Sequence, residues 1–356
     1  MRKKWLFALN GGLEMMFLIF SPHHGSQSKI ICKLMNPLVS IGIPIYNVES
    51  YIQRCAKSLF EQTYDNIEYI FVNDYTPDKS VNILQDLLDE YPNRKKQTII
   101  LHNTKNLGLS TTRNIAIDSM TGQFVMWVDS DDFIEPDMVE KLIIAQSSND
   151  ADIVTCNVVV DMPKNVTRIM KSPVYNSAHD MTIQLLRMSV PVSVWARLIR
   201  LNLYKSHHVK SIDGINNAED YQVMPRLAYY AKCVTNIPDA LYHYNCQNQA
   251  SYTASYSVKQ SEQVISSVHF LESFFKDKGR EYIDALGYAK MQILARDLVK
   301  CCRFSLKAHY YRTLQIVKQM DPKYKRSLSI PFRLIFMMPE YYTAKIYVML
   351  ASLFKK

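Results

Sequence analysis

The sequence predicts an α/β fold, with a mostly parallel central sheet, helices on both faces and a helical region at the C-terminal end. Three observations lead there. Apolar, β-branched runs alternate with helix-spaced segments at intervals of about 30 residues, the length of a βαβ unit. Polar and acidic residues follow directly on several of those runs. The last hundred residues are helical in pattern and carry 18 Lys+Arg against 8 Asp+Glu, so the whole basic excess lies there. With 356 residues, 48% hydrophobic and 21% charged, the chain can bury a sizeable core and is not of a disordered composition.

The elements follow in order. Leu38–Ile43 (LVSIGI) reads as a buried strand, and Tyr51–Glu61 as a helix with Ile52, Cys55, Ala56 and Leu59 on one face. Ile67–Val72 is the second strand and Ser80–Tyr91 the helix after it. Thr98–Leu101 is a short third strand, and Ser110–Ser119 a helix preceded by Gly108. Phe124–Val128 is the fourth strand. Beyond it the pattern predicts a strand over Asp152–Val160 and helices over 179–188, around 195–204 and over Glu219–Ala231. From residue 257 onward Pro322, Pro331 and Pro339 divide a helical, basic tail into segments.

In open sheets of this kind ligands bind beyond the carboxyl ends of the strands. Those ends carry Pro44-Ile45-Tyr46-Asn47-Val48-Glu49, then Asn73-Asp74, then Asp129-Ser130-Asp131-Asp132. Clustered carboxylates after an apolar strand are costly unless a metal ion, a Lys/Arg cluster or water neutralises them. Asp129 and Asp131 flank one residue, so in an irregular turn both can reach one point. Hard oxygen ligands there suit Mn²⁺ or Mg²⁺, which complete their shell with phosphate oxygens. The plainer alternative is that Ser130 and Asp132 cap a helix near Glu135-Pro136.

At this point the chain resembles a known family. The stretch PLVSIGIPIYNVESYIQRCAKSLFEQTYDNIEYIFVNDYTPDKS is similar to the start of family 2 glycosyltransferases, which have the Rossmann-like GT-A fold. An N-x-G-x-x-x-x-R-N pattern is matched by Asn106, Gly108, Arg113 and Asn114, the DSDD signature by Asp129–Asp132, and a later acidic pair by Glu219-Asp220. The resemblance covers about residues 37–250. It implies a metal-dependent inverting transferase that moves a sugar from a nucleotide diphosphate sugar, UDP-linked, to a hydroxyl of a glycan or lipid-linked glycan, with cell-surface polysaccharide synthesis following from family habit. It further implies that Pro44, Tyr46 and Glu49 line the nucleoside pocket. Asp74 would accept from the base N–H, although the family's Asp-Asp is here Asn73-Asp74. Arg113 would lie near the diphosphate or sugar, Asp129 near the ribose or metal, and Asp131 on the metal. Asp220 would be the general base, with Glu219 orienting or binding acceptor; the plain reading of that pair is favourable charge at a helix N-terminus.

The domain expectation is an N-terminal extension over 1–36, unstructured or misassigned, with Met35 a candidate start. A catalytic domain follows over 37–256, with a nucleotide-sugar half (37–135) and an acceptor half (136–256), then a basic helical region over 257–356. Trp195 is a candidate to stack on a sugar, or a packing aromatic. His243 is a candidate neighbour of diphosphate or metal, or a core residue. The seven cysteines show no CxxC and read as reduced thiols of a cytoplasmic protein. The basic, apolar segments at 330–336 and 341–354 suit an anionic membrane surface, which would place the enzyme on the inner face of the cell membrane, or else pack against the catalytic domain. No nucleic-acid motif occurs. Rival readings are a polyprenyl-phosphate glycosyltransferase and a non-catalytic nucleotide-sugar-binding protein.

Overall fold

The computed structural model describes residues 36–163, 166–248 and 257–353. The extension expected over 1–36 therefore lies, apart from Asn36, outside the described residues. Strands β1 (Val39–Ile45), β2 (Ile67–Asn73), β3 (Thr98–His102) and β4 (Phe124–Trp127) form the parallel half of the sheet, in the order β3-β2-β1-β4. Helices α1 (Ile52–Phe60), α2 (Ser80–Glu90), the short α3 (Pro92–Lys95) and α4 (Leu109–Ser119) connect them. Then come β5 (Phe133–Ile134), α5 (Met138–Asn149), β6 (Ile153–Met162), β7 (Val166–Met170), α6 (Ala178–Leu186), β8 (Arg197–Arg200), α7 (Leu201–Lys205), α8 (Glu219–Tyr230) and β9 (Val234–Asn245). In this second half the pairing turns mixed. β8 lies antiparallel between β4 and β6, β9 runs parallel to β6, and β5 and β7 add antiparallel to β9 and β6.

β1 lacks the polar–apolar alternation of a half-exposed strand because both its faces are covered. One face packs Ile41, Ile43 and Ile45 against Ile52 and Leu59 of α1, Leu84 of α2 and Leu142 of α5. The other layer holds Val72, Val125 and Trp127 with Ile117 of α4, Leu185 of α6 and Leu227 of α8. Each such side chain contributes about 1.5–3 kcal/mol when fully buried. Gly42 lets Trp127 close onto β1, since a Cβ there would stand 2.5 Å from the indole.

The helix expected around 195–204 is instead a strand, β8, followed by the five-residue α7. The reason is the two-sided core: Leu198 fills one layer and Ile199 the other, which only a period of two allows. The other elements that had expected bounds fall within two residues of them, whereas β5, β7, β9 and the short α3 had none.

Helices α9 (Val258–Phe275), α10 (Arg280–Arg303), α11 (Lys307–Gln319), α12 (Pro322–Arg326), α13 (Ile330–Phe336) and α14 (Tyr341–Leu353) form the C-terminal region. A capping box between Ser257 and Gln260 opens α9. Val268, Leu271, Phe275 and Leu286 join this region to α6 and α8 through Leu186 and Tyr221. Further out, Ile335, Tyr341, Ala344 and Val348 pack onto Leu298, Cys301 and Tyr310. The opposite sides of α13 and α14 stay apolar and exposed: Ile330, Leu334 and Met337, then Tyr342, Ile346, Met349 and Leu350. Among the described residues no helix is long and apolar enough to cross a membrane.

Candidate active site

The loops after β1 and β2 are tied to each other. Asn47, left-handed at φ 55°, donates its N–H to Thr76 Oγ1 at 2.7 Å. Glu49 N–H donates to Asp78 Oδ2 at 2.8 Å, and the Thr76 and Ser80 hydroxyls donate to Asp78 Oδ1 at 2.7 and 2.6 Å. Asn73, where the family carries an acid, accepts from Thr76 N–H at 2.8 Å, and its amide nitrogen lies 3.1 Å from His102 Nδ1. A carboxylate in its place could not donate to that ring.

Asp74 is buried and takes three N–H donors from one loop: Asn103 Nδ2 at 2.8 Å and Leu107 N–H at 2.7 Å on Oδ1, and Gly108 N–H at 2.8 Å on Oδ2. A carboxylate offers about four acceptor sites, so one remains. Gly108 sits at φ 85° with the Asn216 amide against it, and a Cβ would stand 2.1 Å from Asn216 Nδ2. Asn216 itself accepts from the backbone N–H and hydroxyl of Ser110 at 3.0 and 2.8 Å. Gly108→Ala should therefore break this junction. The left-handed conformation alone costs about 1–2 kcal/mol for a residue with a Cβ. The expected readout is a lowered melting temperature together with weaker nucleotide binding, measured by thermal shift and calorimetry.

The cleft enclosed by these loops has a volume of about 340 Å³ and is lined by Pro44, Tyr46, Asp74, Asn106, Gly108, Thr112, Asp129, Asp131, Asn216 and Asn248 among others. That size suits a small-molecule ligand. Five sequence-predicted residues meet here: Pro44, Tyr46, Asp74, Asp129 and Asp131. Glu49 does not line it; its carboxylate caps the start of α2 by accepting from Lys79 N–H at 3.1 Å.

The acidic loop divides its labour. Asp132 turns inward, where Tyr242 Oη donates to Oδ2 at 2.6 Å and Asn245 N–H donates to Oδ1 at 2.8 Å, pinning the loop to β9. Asp129 and Asp131 face the cleft, with Asn248 Nδ2 donating to Asp131 Oδ2 at 2.9 Å. Burial, then the charge of Asp129, push the Asp131 carboxyl above the usual carboxylate range. The loop thus gathers more negative charge than its side-chain partners neutralise. Two open carboxylates of hard oxygen fit an Mg²⁺ or Mn²⁺ ion that draws its remaining ligands from phosphate and water.

Arg113, expected near the diphosphate or sugar, does not itself line the cleft but stands behind Asp129, which does. Its Nη2 donates to Asp129 Oδ1 at 2.7 Å, and its Nη1 donates to Glu219 Oε1 at 2.8 Å and to Asp220 Oδ1 at 2.6 Å. The physical reason is that one buried carboxylate, Glu219, and two half-buried ones, Asp129 and Asp220, need a cation more than an open cleft does. Burial opposes its charge, but Asp220, Asp129 and Glu219 outweigh burial and hold the guanidinium protonated. Glu219 and Asp220 open α8 after Ala218, which is left-handed at φ 68°. Burial, then the charge of Asp220, push Glu219 up to about 8 despite Arg113. Asp220 is raised by burial, with Arg113 opposing. It also accepts from Val194 N–H on Oδ2 at 3.3 Å, leaving a lone pair on each oxygen.

Trp195 stacks on Tyr242 and Tyr244 at 4.9 and 5.3 Å between centroids, so it packs against β9. His243 lies on the Phe133 ring at 4.0 Å, with Nε2 2.8 Å from Glu135 Oε1 and Nδ1 3.3 Å from Asp161 Oδ2, a packing arrangement outside the cleft lining. Sequence reasoning missed Asp78, Asn216 and Asn248. A loop asparagine carries no periodic signal, and only the asparagines of GINNAED beside the acidic pair hinted at one of them.

A mixed sheet whose parallel strands end in a carboxylate pair beside a cleft, with a second acidic pair behind, is the arrangement of a GT-A glycosyltransferase. Residues 40–199 match the model of Glycosyl transferase family 2, and the chain carries a family 2 glycosyltransferase domain. It is similar to two Bacillus subtilis proteins. EpsH is 29% identical over 68% of this chain and 71% of its own length. EpsJ, named a glycosyltransferase, is 32% identical over 62% of this chain and 64% of its own. Among solved structures, S. aureus TarS in complex with UDP-GlcNAc superposes with a TM-score of 0.65 at 18% identity, over 89% of this chain and 91% of that one.

Proposed function

We propose that the protein is a metal-dependent, inverting glycosyltransferase that takes its sugar from a nucleotide diphosphate sugar, with UDP as nucleotide. The acceptor would be a hydroxyl of a glycan or lipid-linked glycan, in cell-surface polysaccharide synthesis. The observation that carries the reading is the Arg113 bridge, which joins Asp129 on the donor side to Glu219 and Asp220 in one buried cluster. TarS bound to UDP-GlcNAc and to UDP, and the similarity to a chondroitin synthase from Pasteurella multocida (25% identical over 84% of this chain and 29% of its own length), support the donor and product classes. A mannosyltransferase in complex with GDP-Man and Mn²⁺ shares the fold at a TM-score of 0.52.

In this reading Pro44 and Tyr46 border the base, and Asp74, braced by three donors, offers its last acceptor site to an imide N–H. Asp129 and Asp131 would hold Mn²⁺ or Mg²⁺, which when bound supplies positive charge to the departing diphosphate. Asp220 takes the proton of the attacking hydroxyl, with Glu219 beside it. The hydroxyl attacks the anomeric carbon opposite the leaving group, so the configuration inverts. Arg113 is a positioning residue that fixes Asp129 and Asp220 relative to each other.

The test is a thermal shift with UDP, with and without Mn²⁺. A ligand at a hundred times its Kd stabilises by about 2.7 kcal/mol. The wild type should show this with Mn²⁺ present, and Asp131→Ala should lose the Mn²⁺-linked part. Equal stabilisation of the variant would remove Asp131 from the metal.

The exposed stripes on α13 and α14, flanked by Arg333 and Lys345, fit contact with an anionic bilayer. Ile346 and Met349 are each 59% exposed, so Ile346→Glu with Met349→Glu leaves the packed side of α14 intact. The double variant should bind anionic vesicles about tenfold or more weakly in a flotation assay, as two side chains lose their burial. Unchanged flotation would assign the stripes another role.

A further inference from the structure

Asp297, Cys301 and His309 converge inside the C-terminal helices. Asp297 and Cys301 stand four apart on α10 and so share a face. The chain reverses at Ser305, left-handed at φ 59°, and α11 brings His309 back onto that face within its first turn. A carboxylate oxygen, the Cys301 sulfur and a ring nitrogen all lie within 4.8 Å of one another. The His309 side chain is 10% exposed, which places the imidazole inside the helical core. Its Nε2 is 2.9 Å from Asp297 Oδ2, yet neither ring nitrogen has hydrogen-bond geometry to a partner among the described residues. The two groups are close without a well-aligned hydrogen bond between them. Ser261 Oγ donates to Asp297 Oδ1 at 2.6 Å and Thr313 Oγ1 to Oδ2 at 2.9 Å, so the carboxylate is oriented from outside.

We propose that Asp297, Cys301 and His309 form a structural site for a zinc-like divalent transition metal, independent of the hard-ion site assigned to Asp129 and Asp131. One nitrogen, one oxygen and one sulfur make a borderline-soft donor set, which suits Zn²⁺ and disfavours Mg²⁺. Ligand atoms about 2.0–2.3 Å from a tetrahedral ion stand roughly 3.2–3.8 Å apart, which the observed cluster reaches with small side-chain adjustments. The hydroxyls of Ser261 and Thr313 supply the outer hydrogen bonds that ligating carboxylates take. On binding, the metal–sulfur bond replaces the S–H bond of Cys301 and the proton goes to water, while neutral His309 binds through its lone pair. A water fills the fourth position. The ion would staple α10 to α11, with Ser261 of α9 drawn in.

The experiment is a Co²⁺ titration of the full chain, stripped of metal beforehand, followed by Zn²⁺ competition. Thiolate-to-cobalt charge-transfer absorption is expected to saturate at about one Co²⁺ per chain and to be abolished by Zn²⁺, whatever Co²⁺ the oxygen-only site takes without that absorption. C301S should lose the absorption and H309Q should weaken binding at least about tenfold, while C302S and D131A keep the signal. No absorption in the wild type at saturating Co²⁺ overturns the proposal, as does absorption that survives in C301S. The wild-type result is decisive even if a variant fails to fold. An unmetallated ion pair between Asp297 and His309 would give that negative outcome.

Discussion

Replacing Asp220 by Asn is expected to leave UDP binding intact and to lower transfer to a hydroxyl acceptor by about 10²–10⁴-fold. The amide keeps the volume, and its single oxygen can still accept from Arg113, at the loss of the long 3.3 Å contact from Val194 N–H; what disappears is the ability to take a proton. The pH profile gives a second readout. Glu219 and Asp220 share a buried site, and burial raises both, Glu219 to about 8. Their proton losses belong to the pair rather than to either residue. The base works only when deprotonated, so wild-type kcat/KM should climb through the near-neutral range and level off above about 8. The variant should lose that limb along with the rate. Stability runs the other way. The folded pair holds a proton that the unfolded chain releases above about 4.5, so its contribution falls as pH rises from about 4.5 to about 8. Full transfer by the variant would remove Asp220 as base. It would favour an acceptor that is already an anion, such as a polyprenyl phosphate, which needs no strong base.

What the sequence disclosed, and what it hid, follows from the range of each interaction. β1, β2 and β4 were legible because strands covered on both faces are continuous apolar runs, β3 at the half-exposed edge showed only a short β-branched run, and the polar strand ends marked the rim where a ligand binds. Asp129 and Asp131 stood out because their spacing is local. The partners of Arg113 were hidden: Glu219 and Asp220 are 106 and 107 positions away, and nothing in the spacing says that one guanidinium serves both and Asp129 besides. β8 was misread because RLIR is too short to distinguish a period of two from one of 3.6. Glu49 matched a family position, yet the turn at Asn47 sends its carboxylate to the start of α2 rather than into the cleft. Trp195 and His243 offered two roles each, and the neighbours that place them in packing, Tyr242, Tyr244, Phe133 and Glu135, come from distant segments.

Arg113→Gln should be the most damaging single change to the fold itself. Removing one partner of a buried ion pair costs about 3–5 kcal/mol, because the other charges stay buried without compensation. Here three carboxylates lose their common cation. The chain can relieve this only by protonating them, so the penalty should depend on pH. Denaturant unfolding should show a larger loss near pH 9, where Glu219 and Asp220 have given up their protons, than near pH 6, where the raised pair binds protons more readily. Arg113→Lys keeps the charge but not the fork, and one ammonium cannot reproduce the separate Nη1 and Nη2 contacts to Glu219, Asp220 and Asp129. It should recover part of the stability and little of the transfer, since Asp129 and Asp220 would no longer be held by one rigid group. The direct alternative, in which Arg113 clasps the diphosphate, predicts a different pattern: a stable Gln variant with no pH-dependent penalty and a Kd for UDP raised severalfold. Unfolding at two pH values and a UDP titration on the same preparation separate the two, and a stable variant with lost UDP affinity would move Arg113 from the role of brace to that of ligand.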